Sequence, residues 1–125
     1  VGFSNTTAAA ILNDIFRDET IYLALYKSNP TGADTGTEVT GGAYARQLIT
    51  FATPAIDVGK QTIKNSAEIQ FPIATADWGV ITHVAIRSAL TGGTMIGFGA
   101  LVTAKTILTG DRFVIALSNG AIKLS

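Results

Sequence analysis

Cysteine is absent from the 125-residue sequence, which removes disulfides, thiolate metal sites and cysteine nucleophiles together. Charge is scarce as well: Asp, Glu, Lys and Arg make up 14% of the chain, against roughly a quarter in ordinary soluble domains. Nine basic residues balance nine acidic ones and the pI is near 6.7. No long-range field therefore draws in nucleic acid or anionic lipid, and neither is an expected partner. No apolar run approaches the roughly 20 residues of a membrane span. The opening "VGFSNTTAAAILNDIF" has no basic n-region, so no signal peptide is expected in it. Internal repeats, heptads, low-complexity tracts and domain linkers are missing too, and a chain of this length reads as one domain with one core.

What is present is apolar. Hydrophobic residues are 47% of the sequence and the mean hydropathy is +0.37. A small domain has a large surface for its volume, so many apolar residues with few charges imply that other subunits cover part of it. A homo-oligomer or larger assembly is the first functional expectation.

Ser4 is a ready N-cap, and from Asn5 to Arg17 the residues Ala8, Ile11, Leu12, Ile15 and Phe16 fall on one helical stripe. The spacing predicts one amphipathic helix ending near Asp18, with Phe3 before the cap placed to staple onto Ala8. From Ile21 the period changes to two. "IYLALY" is apolar on both faces and predicts a central strand. Residues 28 to 44, "SNPTGADTGTEVTGGAY", read as a long polar excursion of the kind that touches something. "RQLITFA" is the next strand, and "TPAIDVG" breaks the pattern at Pro54 and Gly59. "QTIKNSAEIQF" gives short β segments with a bend or bulge at Asn65 and Ser66. "VITHVAIR" and "LTGGTMIGFGAL" form a hairpin through a Gly-Gly turn. "KTIL" and "TGDRFVIAL" follow, with Phe113, Ile115 and Leu117 on one face, and an Asn-Gly turn leads to a last strand in "SNGAIKLS". Eight or nine short strands with turns between them predict a mainly β fold. The expected architecture is a single antiparallel two-sheet sandwich over 1–125, jelly-roll-like, with one N-terminal helix over about 5–17.

The chemistry-bearing residues are few. The only histidine, His83, sits mid-strand with no second histidine to complete a metal site, and no G-x-S-x-G elbow nominates a serine for a triad. It reads as structural or interfacial. The only tryptophan, Trp78, follows Asp77 in "TADWGV". There the spacing suggests an Asp holding the backbone of a turn and a Trp closing one end of a sandwich, although a Trp beside an Asp also suits a sugar. "DVGKQT" lacks the glycine that a phosphate loop sets ahead of its Gly-Lys pair with four residues between, and Pro54 stands there. "GADTG" lacks the carboxylates of a calcium loop. "NTT" at Asn5 is cap chemistry more simply than a glycosylation site. No catalytic, cofactor-binding or metal site is expected. Arg46, after "GGAY", is suited to anchoring a carboxylate within the chain or across an interface.

The ordered series "IYLALYKSNPT", "GTEVTGGAYARQLITF", "NSAEIQFPIATADWGVITHVAI", "TGGTMIGFGAL" and "KTILTGDRF" resembles a group of small tailed-bacteriophage virion proteins. They are often labelled tail fibre proteins, and some look like head decoration proteins. The resemblance runs from about Ile21 to the C-terminus and includes a short helix before it. It implies a non-catalytic structural protein of the virion. The favoured expectation is a capsid decoration or cement protein on the head surface, bound to the major capsid protein in many symmetric copies. The alternative is a tail fibre, baseplate or receptor-binding component, in which a loop bearing Trp78 or Tyr44 contacts host-surface glycans. An enzyme or small-ligand lectin built on His83 and Asp77 is the third reading. The expected interface residues are Phe3, Ile11 and Phe16 of the helical segment, with Tyr44, Arg46 and Trp78 from the loops.

Overall fold

The helix begins where the sequence supplies a cap. In the computed structural model, which describes residues 2–57 and 59–116 and the backbone of 121–124, Ser4 is extended and its Oγ accepts from the Thr7 amide at 3.2 Å. Helix α1 spans Asn5–Leu12 and continues as a π-helical turn, Asn13–Arg17, closed by the Asp18 amide donating to the Asn13 carbonyl at 2.9 Å. Cap, start and end agree with the sequence expectation. The widened last turn does not follow from the hydrophobic stripe, which continues through Ile15 and Phe16. Arg17 occupies it, donating to Asn13 Oδ1 at 2.7 Å and to the Phe51 carbonyl at 3.3 Å.

Among the described residues nine strands follow: β1 Ile21–Tyr26, β2 Gln47–Ile49, β3 Ala55–Asp57, β4 Lys60–Lys64, β5 Ile69–Gln70, β6 Gly79–Arg87, β7 Met95–Ile107, β8 Val114–Ile115 and β9 Ala121–Leu124. The fold is mainly β, with antiparallel sheets and one N-terminal helix, the class that the patterning predicts. Hydrogen bonding sorts the strands into a four-stranded sheet of order β2-β1-β6-β7, a three-stranded sheet of order β3-β4-β9 and the pair β5-β8. The chain divides into two compact units, one of Val1–Thr20, Ile49–Ile69 and Ile115–Ser125, the other of Ile21–Leu48 and Gln70–Val114.

In the first unit α1 packs on β4. Ala8, Leu12, Phe51, Ile63 and Ile69 are buried, and Phe16 meets Phe51 edge-on at 5.7 Å. Strand β3 lies where "TPAIDVG" was expected only to break the pattern. Pro54 stands just outside it and Gly59, at φ +76°, helps turn it back antiparallel onto β4. Three residues are too few to show a period. Asn65 and Ser66 form the expected bend. Asn65 is fully buried, and its Nδ2 donates to the carbonyls of Ala67 at 2.8 Å and Ala116 at 3.0 Å. The Asn119-Gly120 turn and the facing of Leu117 fall outside the described residues.

In the second unit β1 is an inner strand, with every residue but Tyr22 buried. It pairs antiparallel with β6 in a register that sets Leu23 against Ile86 and Leu25 against Val84. Strands β6 and β7 form the expected hairpin, turned by Gly92 and Gly93 at φ +63° and +70°. "KTIL", expected as a separate strand, is the end of β7. His83 pairs with Ala100 and Ile81 with Lys105, so Thr82 alone stands opposite residues 101 to 104. That bulge pushes the Val102 side chain fully into solvent.

Asn65→Ala leaves two carbonyls without their amide donor in a buried site. It is expected to destabilise the protein by about 1–3 kcal/mol, measured by urea denaturation with the m-value checked for constancy.

Candidate interaction surface

The excursion from residue 28 to 44 is held by two arginines, each joining a loop carboxylate to the β6–β7 turn. Arg46 grips Glu38 with a two-pronged contact, Nε to Oε2 at 2.9 Å and Nη2 to Oε1 at 2.8 Å. Its Nη1 donates to the carbonyls of Ala89 at 2.9 Å and Gly92 at 2.8 Å. Arg87, at the end of β6, directs Nη1 to both oxygens of Asp34 at 2.8 Å and to the Tyr26 hydroxyl at 3.0 Å. Its Nε and Nη2 reach the carbonyls of Gly92 and Gly93 at 3.3 and 3.0 Å. Both guanidinium groups are nearly buried, which is tolerable only because their donors are matched.

Tyr44 links this network to the backbone of β1. Its hydroxyl donates to Glu38 Oε2 at 2.6 Å and accepts from the Leu25 amide at 3.0 Å. Burial and the bond to Glu38 push the phenol far above its ordinary range, so it stays protonated. Burial opposes ionisation of Glu38, but the hydrogen bonds from Arg46 and Tyr44 outweigh it and hold the carboxyl below its ordinary 4.5. Arg46 is raised chiefly by its bond to Glu38. For Arg87, burial favours the neutral form, and Asp34 and Tyr26 overcome it.

Trp78 is 1% exposed. Its Nε1 donates to the Gly42 carbonyl at 2.9 Å, which also accepts from the Thr75 amide at 3.0 Å. Tyr44 stands edge-on to it at 5.5 Å and stacks on Phe71 at 6.2 Å, and Phe71 meets Phe113 at 5.7 Å. Trp78 is thus an interior wall with no open ring face for a sugar. Gly42 is forced by this packing: φ is +60° and an added Cβ would lie 2.9 Å from Trp78 Nε1. Asp77 does hold a turn, its Oδ1 accepting from the Thr109 amide at 2.8 Å and hydroxyl at 3.0 Å. His83 is half-buried, with Nδ1 2.8 Å from the Thr82 hydroxyl. Among the described residues no group of three His, Cys, Asp or Glu is placed to hold a metal.

Of the six residues expected at an interface, the structure brings Tyr44, Arg46 and Trp78 into one network. Phe3, Ile11 and Phe16 belong to the other unit, where Phe3 is about half exposed and Ile11 and Phe16 are partly covered. Glu38, Asp34, Arg87 and Tyr26 escaped the sequence reading. The signal for them was Arg87 on the same strand face as the apolar Ile81 and Ala85, a position that demands a carboxylate. The 28–44 excursion carries two, Asp34 and Glu38. The remaining apolar exposure includes Phe98 and Val102 on β7, Val80 on β6, and Ile73, Leu90 and Leu108 in turns.

The 28–44 loop is thus held on its own scaffold by two arginine–carboxylate pairs, and apolar side chains remain exposed along the sheet margin. The chain belongs to the podophage GP4 fiber I protein family (gp80), whose family model matches residues 2–125. It is therefore a bacteriophage fibre-type structural protein of the virion, in line with the resemblance seen in the sequence. No curated protein matches it.

Glu38 has a depressed folded-state value, so its stabilisation is complete above its ordinary 4.5 and is lost as pH falls through the folded value. The Tm of the wild type is expected to drop across that acid window, and that of Glu38→Gln to be lower at neutral pH and flatter below it. Arg46→Lys, which keeps the charge but loses the fork, should cost about 2 kcal/mol in denaturant titrations. Gly42→Ala should destabilise by more than about 1 kcal/mol and shift the Trp78 emission to the red.

Proposed function

We propose that this protein is a non-enzymatic component of the fibre apparatus of a phage tail, acting by self-association and by docking onto other proteins of the same virion. The observation that carries this is the match of a fibre-protein family model to residues 2–125. It favours the tail alternative over the capsid-cement expectation. The structural role is supported by what the two catalytic nominees do: Asp77 is spent on the Thr109 turn and His83 lies beside Thr82. Phe3, at the head of α1, and the apolar margin of the four-stranded sheet are the surfaces suited to docking. Host-glycan contact, where it occurs, falls to exposed loop residues and not to Trp78.

Quantitative mass spectrometry of purified virions, with tail-free heads and isolated tails run side by side, tests the assignment. The chain is expected to follow the tails. Recovery of many copies with tail-free heads would overturn the tail location and restore the cement reading.

A further inference from the structure

Strand β7 ends its sheet: β6 is its one hydrogen-bonded neighbour among the described residues. An edge strand offers a row of unpaired N–H and C=O groups, which proteins ordinarily blunt with charged residues or proline. Neither occurs anywhere from residue 88 to 104. The bulge at 101 to 104 interrupts the strand on one side, and a second irregularity at Ile96 interrupts it on the other, since Ile86 pairs with Gly97 and Arg87 with Met95; the regular open length is Gly97 to Ala100.

That length is self-complementary. Gly97-Phe98-Gly99 reads identically in both directions about Phe98. Two antiparallel copies, related by a two-fold axis normal to the sheet at Phe98, set Phe98 opposite Phe98 and Gly97 opposite Gly99. Apolar residues then meet apolar residues, glycine meets glycine, and no charges are brought together. A two-fold interface requires such self-complementarity, because one patch must recognise itself. Phe98 is 45% exposed, on the sheet face it shares with Ala85 and Ala24. On the other face, a Cβ added at Gly97 or Gly99 would meet nothing within 4 Å, so the chain itself leaves that space unfilled. Glycine in a strand interior commonly marks close approach by another backbone.

We propose that the free edge of β7, residues 97 to 100, docks the same strand of a second copy of this chain, pairing antiparallel about Phe98 and continuing one sheet through two subunits. The pairing deepens the self-association in the proposed function by naming its surface, and it is independent of where in the virion the protein sits. A bare edge recognises a partner through backbone hydrogen bonds and shape, so a charge-free strand suits an identical one better than a charged partner.

The absence of native cysteine makes disulfide trapping clean. Directly paired antiparallel residues have Cα atoms about 4.5–5.5 Å apart, within disulfide reach. Under mild oxidation Phe98→Cys is expected to convert most of the chain to a dimer on non-reducing gels, while Val80→Cys, on β6, stays monomeric. Phe98 is kept in the register test: Gly97→Cys and Gly99→Cys chains should cross-link when mixed, and Gly97→Cys alone should not. A protein that is oligomeric by light scattering but yields none of these cross-links self-associates elsewhere, which overturns the edge pairing and leaves the proposed function intact. Cross-linking of Gly97→Cys to itself would overturn the register about Phe98.

Discussion

Two guanidinium groups hold the larger unit in its shape. Arg46 and Arg87 come from different segments yet converge on one carbonyl, that of Gly92 at the tip of the β6–β7 hairpin, and each also grips a carboxylate from the 28–44 excursion. Loop, strand end and hairpin turn therefore form one network. Its members are interdependent: a buried arginine is costly without its acid, and each acid is placed by a loop that has no sheet pairing beyond a single bridge from Glu38 to Tyr26. Tyr44 carries the same constraint inward, because the hydroxyl that fixes Glu38 also satisfies the Leu25 amide, while its ring packs against Trp78 and Phe71. Left-handed backbone at Asp34, Gly42 and Ala43 persists because these contacts hold it there.

Elements with a long, unbroken period could be read from the residues. Ser4 and the stripe from Ala8 to Phe16 announced the helix, "IYLALY" announced an inner strand, and the Gly92-Gly93 pair announced the hairpin. Asp77 holding a turn was legible from its place before a strand. What escaped depends on distance along the chain or on shortness. Asp34 and Arg87 are 53 residues apart, and no local pattern pairs them. Strand β3 has three residues, fewer than two periods. The bulge in β7 shows only against its partner, since "LVTA" alone continues the strand. The structural reading of Trp78 in "TADWGV" agrees with its burial, while the expectation of Trp78 and Tyr44 as interface residues meets aromatic area that serves the interior, where the Gly42 carbonyl accepts from the indole N–H.

The scarcity of charge acquires a specific meaning from this arrangement. Glu38, Arg46 and Arg87 spend their charge inside the chain, where low solvent access shields the pairs from salt. The margin of the sheet at β7 is left with backbone groups, glycine, Phe98 and Val102. The edge pairing proposed for β7 depends on hydrogen bonding and apolar burial, which the screening of charges by salt does not weaken. Internal shape, by contrast, depends on ionised Glu38 and therefore on pH. Ionic interactions thus fix the internal position of the hairpin, while residues 88 to 104 carry no charge, and the scarcity of charge in the sequence corresponds in part to that uncharged hairpin edge.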